Sequence, residues 1–251
     1  MINGVLQGIK IYKEKIAGFP FIPREIDSKS AEVEYDGWGN PIDIKVFMDK
    51  TYILYEELNI LIVKYMNETT SSIIIPLDNY PYSMFIHEER GLIYIPCLLG
   101  ESINIVDCNS DMVIDKINKI SYPTKVILSK DRKKIYVCEA GFNENSNGSI
   151  LVIDIEKKNI IKKIEVGEFP IDLIEEDNYI FTCNMGEGSI SIVDLEEGKE
   201  NEKIEVGGMP IKINKEDDYI FVSNVMDNSI YRISMKSYEI NKIASGKDLM
   251  L

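Results

Sequence analysis

Five prolines recur along the chain at intervals close to forty residues, and the segments that follow them share one plan. The spacings are 40, 42, 47 and 40 residues, and the prolines are Pro41, Pro81, Pro123, Pro170 and Pro210. The two repeats that match best cover residues 169–208 and 209–247. Self-similarity at such a period is typical of an architecture in which each repeat is one supersecondary unit.

Each repeat contains four short segments with the character of β-strands. In the repeat that starts near Pro170 we predict strand a at 171–174, strand b at 179–183, strand c at 189–194 and strand d at 202–206. β-Branched and aromatic residues, which favour strands, dominate these segments. Four strands per forty residues in tandem predict an all-β fold, a β-propeller of four-stranded antiparallel blades.

The ends of the chain predict how the propeller closes. Residues 246–251 match the corner and the start of strand a, so we expect the C-terminal strand to join the N-terminal blade and close a six-bladed ring. The whole chain, 1–251, is then one domain. We expect blades at approximately 246–251 with 1–40, 41–80, 81–122, 123–169, 170–209 and 210–245. Neighbouring blades must bury each other's faces, which is why strands b and c are nearly continuous apolar runs.

The repeats resemble the YVTN-type β-propeller repeat, whose consensus is roughly VGxxP, a strand, lYVtN and then xxSxSVID. The resemblance depends on Val166-Gly167 before Pro170 and on the segments 179–184 and 189–194. Residues 206–224 repeat the Val-Gly pair before a proline and the lYVtN-like segment. It is good from about residue 80 to 243 and weak before Asn40. The paired Gly-His and Trp-Asp of WD40 repeats are missing. The resemblance implies a fold and little chemistry, because propellers host unrelated functions.

Charge and cysteine usage limit the partners and the compartment. A formal net charge of −14, from 42 acidic and 28 basic residues, disfavours nucleic acid and anionic membranes. The first residues lack a basic segment followed by a long apolar run, so we expect no signal peptide. No two cysteines have the CxxC spacing of a zinc or redox site. Cys138 and Cys183 occupy equivalent positions in successive repeats, which predicts small core residues in a reducing, cytoplasmic protein.

Strand a is the innermost strand of a blade, so its side chains alternate between the channel and the core. We call the second residue after each proline the ring position. The ring residues are Asp43, Ser83, Lys125, Asp172 and Lys212, and Met250 is the expected sixth member. They predict a channel lined by mixed charge. Three interpretations remain open: a solvated pore with internal ion pairs, a binding site for a small polar ligand, and a catalytic site.

The d–a corners and the b–c turns should share one face of the disc, at the mouth of the channel. Glu139, Asn184 and Asn224 end strand b on this face, and Trp38 lies at a corner. Large apolar residues precede the later prolines at one equivalent position, namely Tyr80, Tyr122, Phe169 and Met209. They favour either a partner surface or a seal between blades.

No known catalytic or cofactor motif stands out. The chain has one histidine, His87, placed at an a–b turn on the opposite face, and a Ser83–His87 dyad fails because four strand residues span about 13 Å. Asp107, Asp154 and Asp194 recur at the end of strand c, which indicates a turn role. Cys97 and Cys108 should be too distant to form a disulfide. Asp43 and Asp172 could supply oxygen ligands to Ca²⁺ or Mg²⁺, but the nearby Lys125 and Lys212 argue against a strong site. We therefore expect no cofactor, no metal and no assigned catalytic residue.

Two functions fit this pattern. The first is a non-enzymatic scaffold or binding module that takes a protein or a small polar ligand on one face or at the channel mouth. The second is a hydrolase or lactonase-like enzyme with its site at the channel mouth, by analogy with other propellers. The enzyme hypothesis predicts that activity is lost in Asp43→Asn or Asp172→Asn while the fold is kept.

Overall fold

The computed structural model describes residues 41–66, 72–141 and 147–245, which form five separate four-stranded antiparallel sheets. We number the sheets 1 to 5 in chain order. In each sheet the four strands are hydrogen-bonded in sequence order. The predictions for residues 1–40 and 246–251, including the closing strand, Trp38 and Met250, lie outside the described residues.

The strands follow the repeat closely. Sheet 1 contains β1 (Asp43–Phe47), β2 (Lys50–Tyr55), β3 (Ile60–Tyr65) and β4 (Ser72–Pro76). Sheet 2 contains β5 (Phe85–His87), β6 (Leu92–Cys97), β7 (Ser102–Asp107) and β8 (Met112–Asn118), with a short 3-10 helix at Glu88–Arg90. Sheet 3 contains β9 (Pro123–Leu128), β10 (Lys134–Glu139), β11 (Ser149–Asp154) and β12 (Asn159–Glu165).

The last two sheets have the same plan. Sheet 4 contains β13 (Pro170–Glu176), β14 (Tyr179–Asn184), β15 (Ser189–Asp194) and β16 (Lys199–Glu205). Sheet 5 contains β17 (Pro210–Glu216), β18 (Tyr219–Asn224), β19 (Ser229–Ser234) and β20 (Ile240–Ser245). The prediction for strand d in sheet 4 was too short at its start, because β16 begins at Lys199. This outer strand is largely exposed, so polar residues join it without an apolar signal.

Neighbouring sheets bury each other's faces, as the repeat predicts. One apolar cluster joins Tyr52 of sheet 1 to Met84 and Ile93 of sheet 2, and further clusters join sheets 2 and 3 and sheets 3 and 4. The largest cluster includes Phe181 of sheet 4 and Ile220 of sheet 5. Each large apolar side chain buried in this way contributes about 1.5–3 kcal/mol, so the contacts between sheets hold the tandem array together.

One buried ion pair interrupts the apolar contact between sheets 1 and 2. The Lys50 ammonium donates to both carboxylate oxygens of Asp111, at 3.0 and 2.9 Å, and to the carbonyl oxygen of Cys108 at 2.5 Å. The Tyr65 hydroxyl donates to Asp111 at 2.5 Å. Charge-assisted hydrogen bonds of this kind fix geometry as well as adding energy, so the pair sets how the two sheets meet.

Candidate functional site

The ring residues contact the next sheet along the chain. The Asp43 carboxylate accepts a hydrogen bond from the backbone N–H of Met84 at 2.9 Å. The Ser83 hydroxyl donates to the carbonyl oxygen of Thr124 at 2.8 Å. The Asp172 carboxylate accepts the backbone N–H of Ile213 at 3.1 Å. The ring positions therefore join each inner strand to its neighbour.

The structure brings three of the five ring residues together. The Lys125 ammonium lies 3.4 Å from one Asp172 oxygen, and the Lys212 ammonium lies 3.4 Å from the other. Asp172 is buried, whereas the lysine side chains are 15% and 21% exposed. Two cations thus face one carboxylate at the inner edge of sheets 3, 4 and 5. Asp43 contacts Met84, and Ser83 contacts Thr124.

The residue after the ring position is buried in sheets 2 to 5, as strand alternation predicts, whereas Ile44 in sheet 1 is half-buried. The exposed fraction is at most 2% for Met84, Val126, Leu173 and Ile213. Thr124, one position before the ring residue, was not predicted to have a role. Its hydroxyl donates to the Pro170 carbonyl oxygen at 2.7 Å and so links sheets 3 and 4. A threonine in a strand carries no signal for such a bond.

The predicted face residues Glu139, Asn184 and Asn224 are buried, and each is engaged in its own corner. Glu139 accepts the backbone N–H of Ser121 at 3.1 Å and forms an ion pair with Lys163. The Asn184 amide donates to the hydroxyls of Ser189 and Ser191. The structure does not bring the three side chains together.

Asn224 shows most clearly what the end of strand b does. Its side-chain oxygen accepts the backbone N–H of Met209 at 3.0 Å, and its amide donates to the Gly207 carbonyl oxygen at 2.6 Å. Both partners belong to the d–a corner that precedes Pro210. These contacts hold the corner against the b–c turn.

The apolar residue before each later proline belongs to one continuous cluster. We call these residues the collar: Tyr80, Tyr122, Phe169 and Met209. The carbonyl oxygen of each accepts a hydrogen bond of 2.8–3.0 Å from the backbone N–H of the residue that follows strand b, in order Leu98, Ala140, Met185 and Val225. Phe169 and Met209 are buried, whereas Tyr80 and Tyr122 are half-buried. The collar and the ends of strand b therefore form one repeating layer.

The collar backbone is unusual. Tyr80, Tyr122 and Phe169 have φ values of 64°, 51° and 53°, although bulky residues seldom adopt the left-handed region and residues before proline avoid the α region. At the fourth corner Gly207 and Gly208 take the positive φ instead of Met209. The same sharp corner is thus made by an aromatic residue in three repeats and by glycines in the fourth.

The recurrent aspartates after strand c have the turn role that the sequence predicts. Asp154 accepts the backbone N–H groups of Glu156 and Lys157, and Asp107 and Asp194 do the same in their own turns. His87 ends β5, beside the a–b turn as predicted. It is buried, and burial together with the Arg90 charge lowers the pKa of its imidazole.

All four cysteines are free and buried, in agreement with the prediction that Cys97 and Cys108 do not pair. Burial raises the pKa of the Cys97 thiol to about 12, and it also raises the pKa of Cys138 and Cys183. Since the thiolate is the reactive form, we expect iodoacetamide to leave all four unmodified in the folded protein at neutral pH. Mass spectrometry should find four labels in denaturant, and rapid native labelling of any cysteine would contradict this structure.

Within residues 41–66, 72–141 and 147–245, no group of three or more His, Cys, Asp or Glu side chains is arranged to hold a metal ion. The same part of the chain contains no helix long and apolar enough to cross a bilayer. The ring residues themselves offer charged groups and a hydroxyl.

Tandem four-stranded antiparallel sheets, packed face to face in sequence order, define a protein of the β-propeller class. Solved structures of that class resemble this chain. One is hydrazine synthase from Kuenenia stuttgartiensis, with a TM-score of 0.68 and 16% identity, covering 86% of this chain and 68% of that chain. Another is virginiamycin B lyase from Staphylococcus aureus, with a TM-score of 0.64 and 19% identity, covering 80% of this chain and 68% of that chain.

Dihydro-heme d1 dehydrogenase NirN is a further structural neighbour, with a TM-score of 0.63 and 12% identity over 82% of this chain and 48% of that chain. In sequence, antigen Lp49 of Leptospira interrogans is 30% identical over 77 residues. That match covers 30% of this chain and 17% of the antigen. No model of a known protein family matches the chain. At these identities the neighbours establish the fold alone.

Proposed function

We propose that this protein is a non-enzymatic binding module that holds a small polar ligand at the ring positions of a propeller channel. The proposal includes a single domain of YVTN-type repeats over 1–251, closed into six blades by the C-terminal strand, and a cytoplasmic location. The observation that carries it is the meeting of Lys125, Asp172 and Lys212 at the inner edge of three sheets.

The geometry supports binding at this point. An ion pair that only joins two strands is served best by N–O distances of about 2.7–2.9 Å. Both ammonium groups lie 3.4 Å from Asp172, and both lysine side chains are partly exposed. Asp172 is fixed by the N–H of Ile213, so the lysines gather around an anchored carboxylate. We place the polar ligand beside these two ammonium groups and the anchored carboxylate.

The hydrolase or lactonase-like alternative has weaker support. It requires Asp43 or Asp172 to act on a substrate, yet each carboxylate accepts a backbone N–H of the next sheet. Those hydrogen bonds give both aspartates a structural role. Loss of activity in an aspartate variant would therefore have to be separated from loss of stability. The scaffold alternative, a protein partner on the collar face, predicts complexes that do not depend on the ring lysines.

A thermal-shift screen of the intact chain tests the proposal. The compounds should be small anions, cations and neutral polar molecules, because any ligand of the folded state raises apparent stability by mass action. We expect at least one saturable shift that is lost in Lys212→Met and kept in Lys133→Met, which removes an exposed lysine from an a–b turn. No shift with any compound, or shifts indifferent to Lys212, would overturn the proposal.

A further inference from the structure

We propose that β4, the outer strand of sheet 1, is a docking edge for a second copy of this chain. The two copies of β4 would pair as antiparallel strands related by a two-fold axis, so that two four-stranded sheets continue into each other. This inference goes beyond the proposed function and does not involve the ring positions. It depends on how β4 differs from the other outer strands that the structure describes.

The first difference is the regularity of the strand. The outer strands of sheets 2 and 3 each contain a β-bulge, whose extra residue is Ile114 in β8 and Ile161 in β12. β16 and β20 show a register shift of the same kind. β4 pairs with β3 without any shift. Because a bulge bends an edge strand and interrupts its row of backbone groups, β4 is the only one of these five described outer strands with a regular row.

The second difference is charge. The sequence of β4 is Ser-Ile-Ile-Ile-Pro, whereas each of the other four described outer strands contains at least one lysine. Charged side chains, lysine above all, keep the edges of sheets from pairing with other chains. Ile73 and Ile74 are 38% and 46% exposed on this uncharged strand. Copies of a chain with a net charge of −14 repel each other, so an uncharged edge is the surface on which a second copy can dock.

The backbone of β4 shows which groups would form the pair. Leu77, just after the strand, donates its N–H to the carbonyl oxygen of Asn59 at 2.8 Å, so the backbone groups of Leu77 face β3. Successive residues of a strand alternate in the side to which their N–H and C=O groups point. Every second residue of β4 therefore faces outward, where no described strand pairs with it. The outward residues are Ser72, Ile74 and Pro76.

Pro76 selects the register of the pair, because it has no N–H to donate. In a two-fold register centred on Ile74, the two Ile74 residues exchange both of their N–H···O hydrogen bonds. Each Ser72 N–H then donates to the Pro76 carbonyl oxygen of the other copy. The two strands have four outward N–H groups between them, and this register gives every one an acceptor. The edge is therefore complementary to itself, as an isologous contact requires.

The size of the contact predicts a weak dimer. Two five-residue strands with their exposed isoleucines bury less than about 1,200 Å², the lower end of the range for specific interfaces. We therefore expect a dissociation constant in the micromolar range. Sedimentation velocity of the full chain between about 2 and 200 µM should show a monomer at the low end and a dimer at the high end.

Ile74→Lys tests whether β4 is the docking edge. It should weaken dimerisation by about tenfold or more, because the substitution places two ammonium groups opposite each other on the two-fold axis. The matched control is Ile161→Lys, which adds the same charge at a bulge residue that is 52% exposed. It should leave the dimer unchanged. Both isoleucines are exposed, so urea unfolding should find both variants folded.

Ile74→Cys tests the register. Opposite residues of a hydrogen-bonded antiparallel pair have Cα atoms about 5.5 Å apart, which is within the range of disulfides. With oxidised glutathione as the oxidant, Ile74→Cys should give a disulfide-linked dimer on a non-reducing gel, whereas Ile161→Cys should not. The four native cysteines are buried and should not contribute to the link.

The other outcomes overturn the inference or its register. A monomer at every concentration would show that β4 does not dock a second copy, and a dimer indifferent to Ile74→Lys would show that another surface forms it. Equal weakening by Ile74→Lys and Ile161→Lys would mean that net charge controls association. Growth beyond a dimer would contradict the closed two-fold pair, and failure of Ile74→Cys to link would overturn the register. Lys212→Met should dimerise like the unmodified chain, so none of these results bears on the proposed function.

Discussion

Asp172→Ala should lower the free energy of unfolding by about 3–5 kcal/mol, the range found when one member of a buried charged pair is removed. The substitution takes away the carboxylate that faces both Lys125 and Lys212, and it also removes the acceptor for the Ile213 N–H. Because these partners come from three different sheets, the loss should act on the packing of the array and not on one strand. Urea denaturation followed by circular dichroism measures it.

Asp172→Asn is the matched control for this prediction. An asparagine oxygen can still accept the Ile213 N–H, while the negative charge between the lysines is lost. We therefore expect a loss about half as large as that of the alanine variant. Equal losses would mean that the charge alone matters, and no loss in either variant would show that Asp172 does not join the inner strands.

Much of the fold could be predicted from the sequence because the repeat is long and regular. Strand c of sheet 4 was predicted at 189–194, and β15 covers those residues. Strand b was predicted one residue short, because Asn184 continues the ladder opposite Ser189. The outer strand was less predictable: Glu200 and Lys199 pair with Val193 and Asp194 beyond a bulge, where solvent exposure removes the apolar pattern.

The contacts between sheets could not be predicted in the same way. Lys50 lies next to an a–b turn, where a lysine normally faces solvent, yet it is buried against Asp111, 61 residues away. Which turn of one sheet meets which turn of the next depends on the stagger between sheets, and periodicity contains no information about that stagger. Local repeats fix the strands, while the lateral contacts arise only on packing.

The candidate site shows the same division. Alternation along strand a predicts that the ring residues and the core residues Met84 and Leu173 lie on opposite sides, yet the ring residue Asp172 is itself buried. It does not tell which ring residues pair, and three of them meet because Asp172 lies between two lysine-bearing strands. Asn224 was predicted to be part of an open face, yet its amide and oxygen are used by the corner before Pro210.

Gly148→Ala should have the second large effect, because this glycine of the b–c turn in sheet 3 lies against Gly167 and Pro170 of the d–a corner. A methyl group there would lie 2.1 Å from Cδ of Pro170 and 2.8 Å from the carbonyl oxygen of Gly167. Neither atom belongs to a flexible side chain, so the d–a corner itself would have to move. Overpacking of this kind costs about 3 kcal/mol, and we expect urea denaturation to show a loss of that order in the free energy of unfolding.

Gly207→Ala separates steric exclusion from backbone conformation. Gly207 lies in the corner of the next repeat with φ near 70°, and a methyl group there would meet nothing within 4 Å. Its cost is then only that of a left-handed alanine, about 1 kcal/mol. If the two variants lost equal stability, conformation and not the approach of Gly148 to Pro170 would govern the corner. A larger loss at Gly148 would show that the close approach of the b–c turn determines the geometry of the Val-Gly-x-x-Pro corner. The collar residues lie in this same corner.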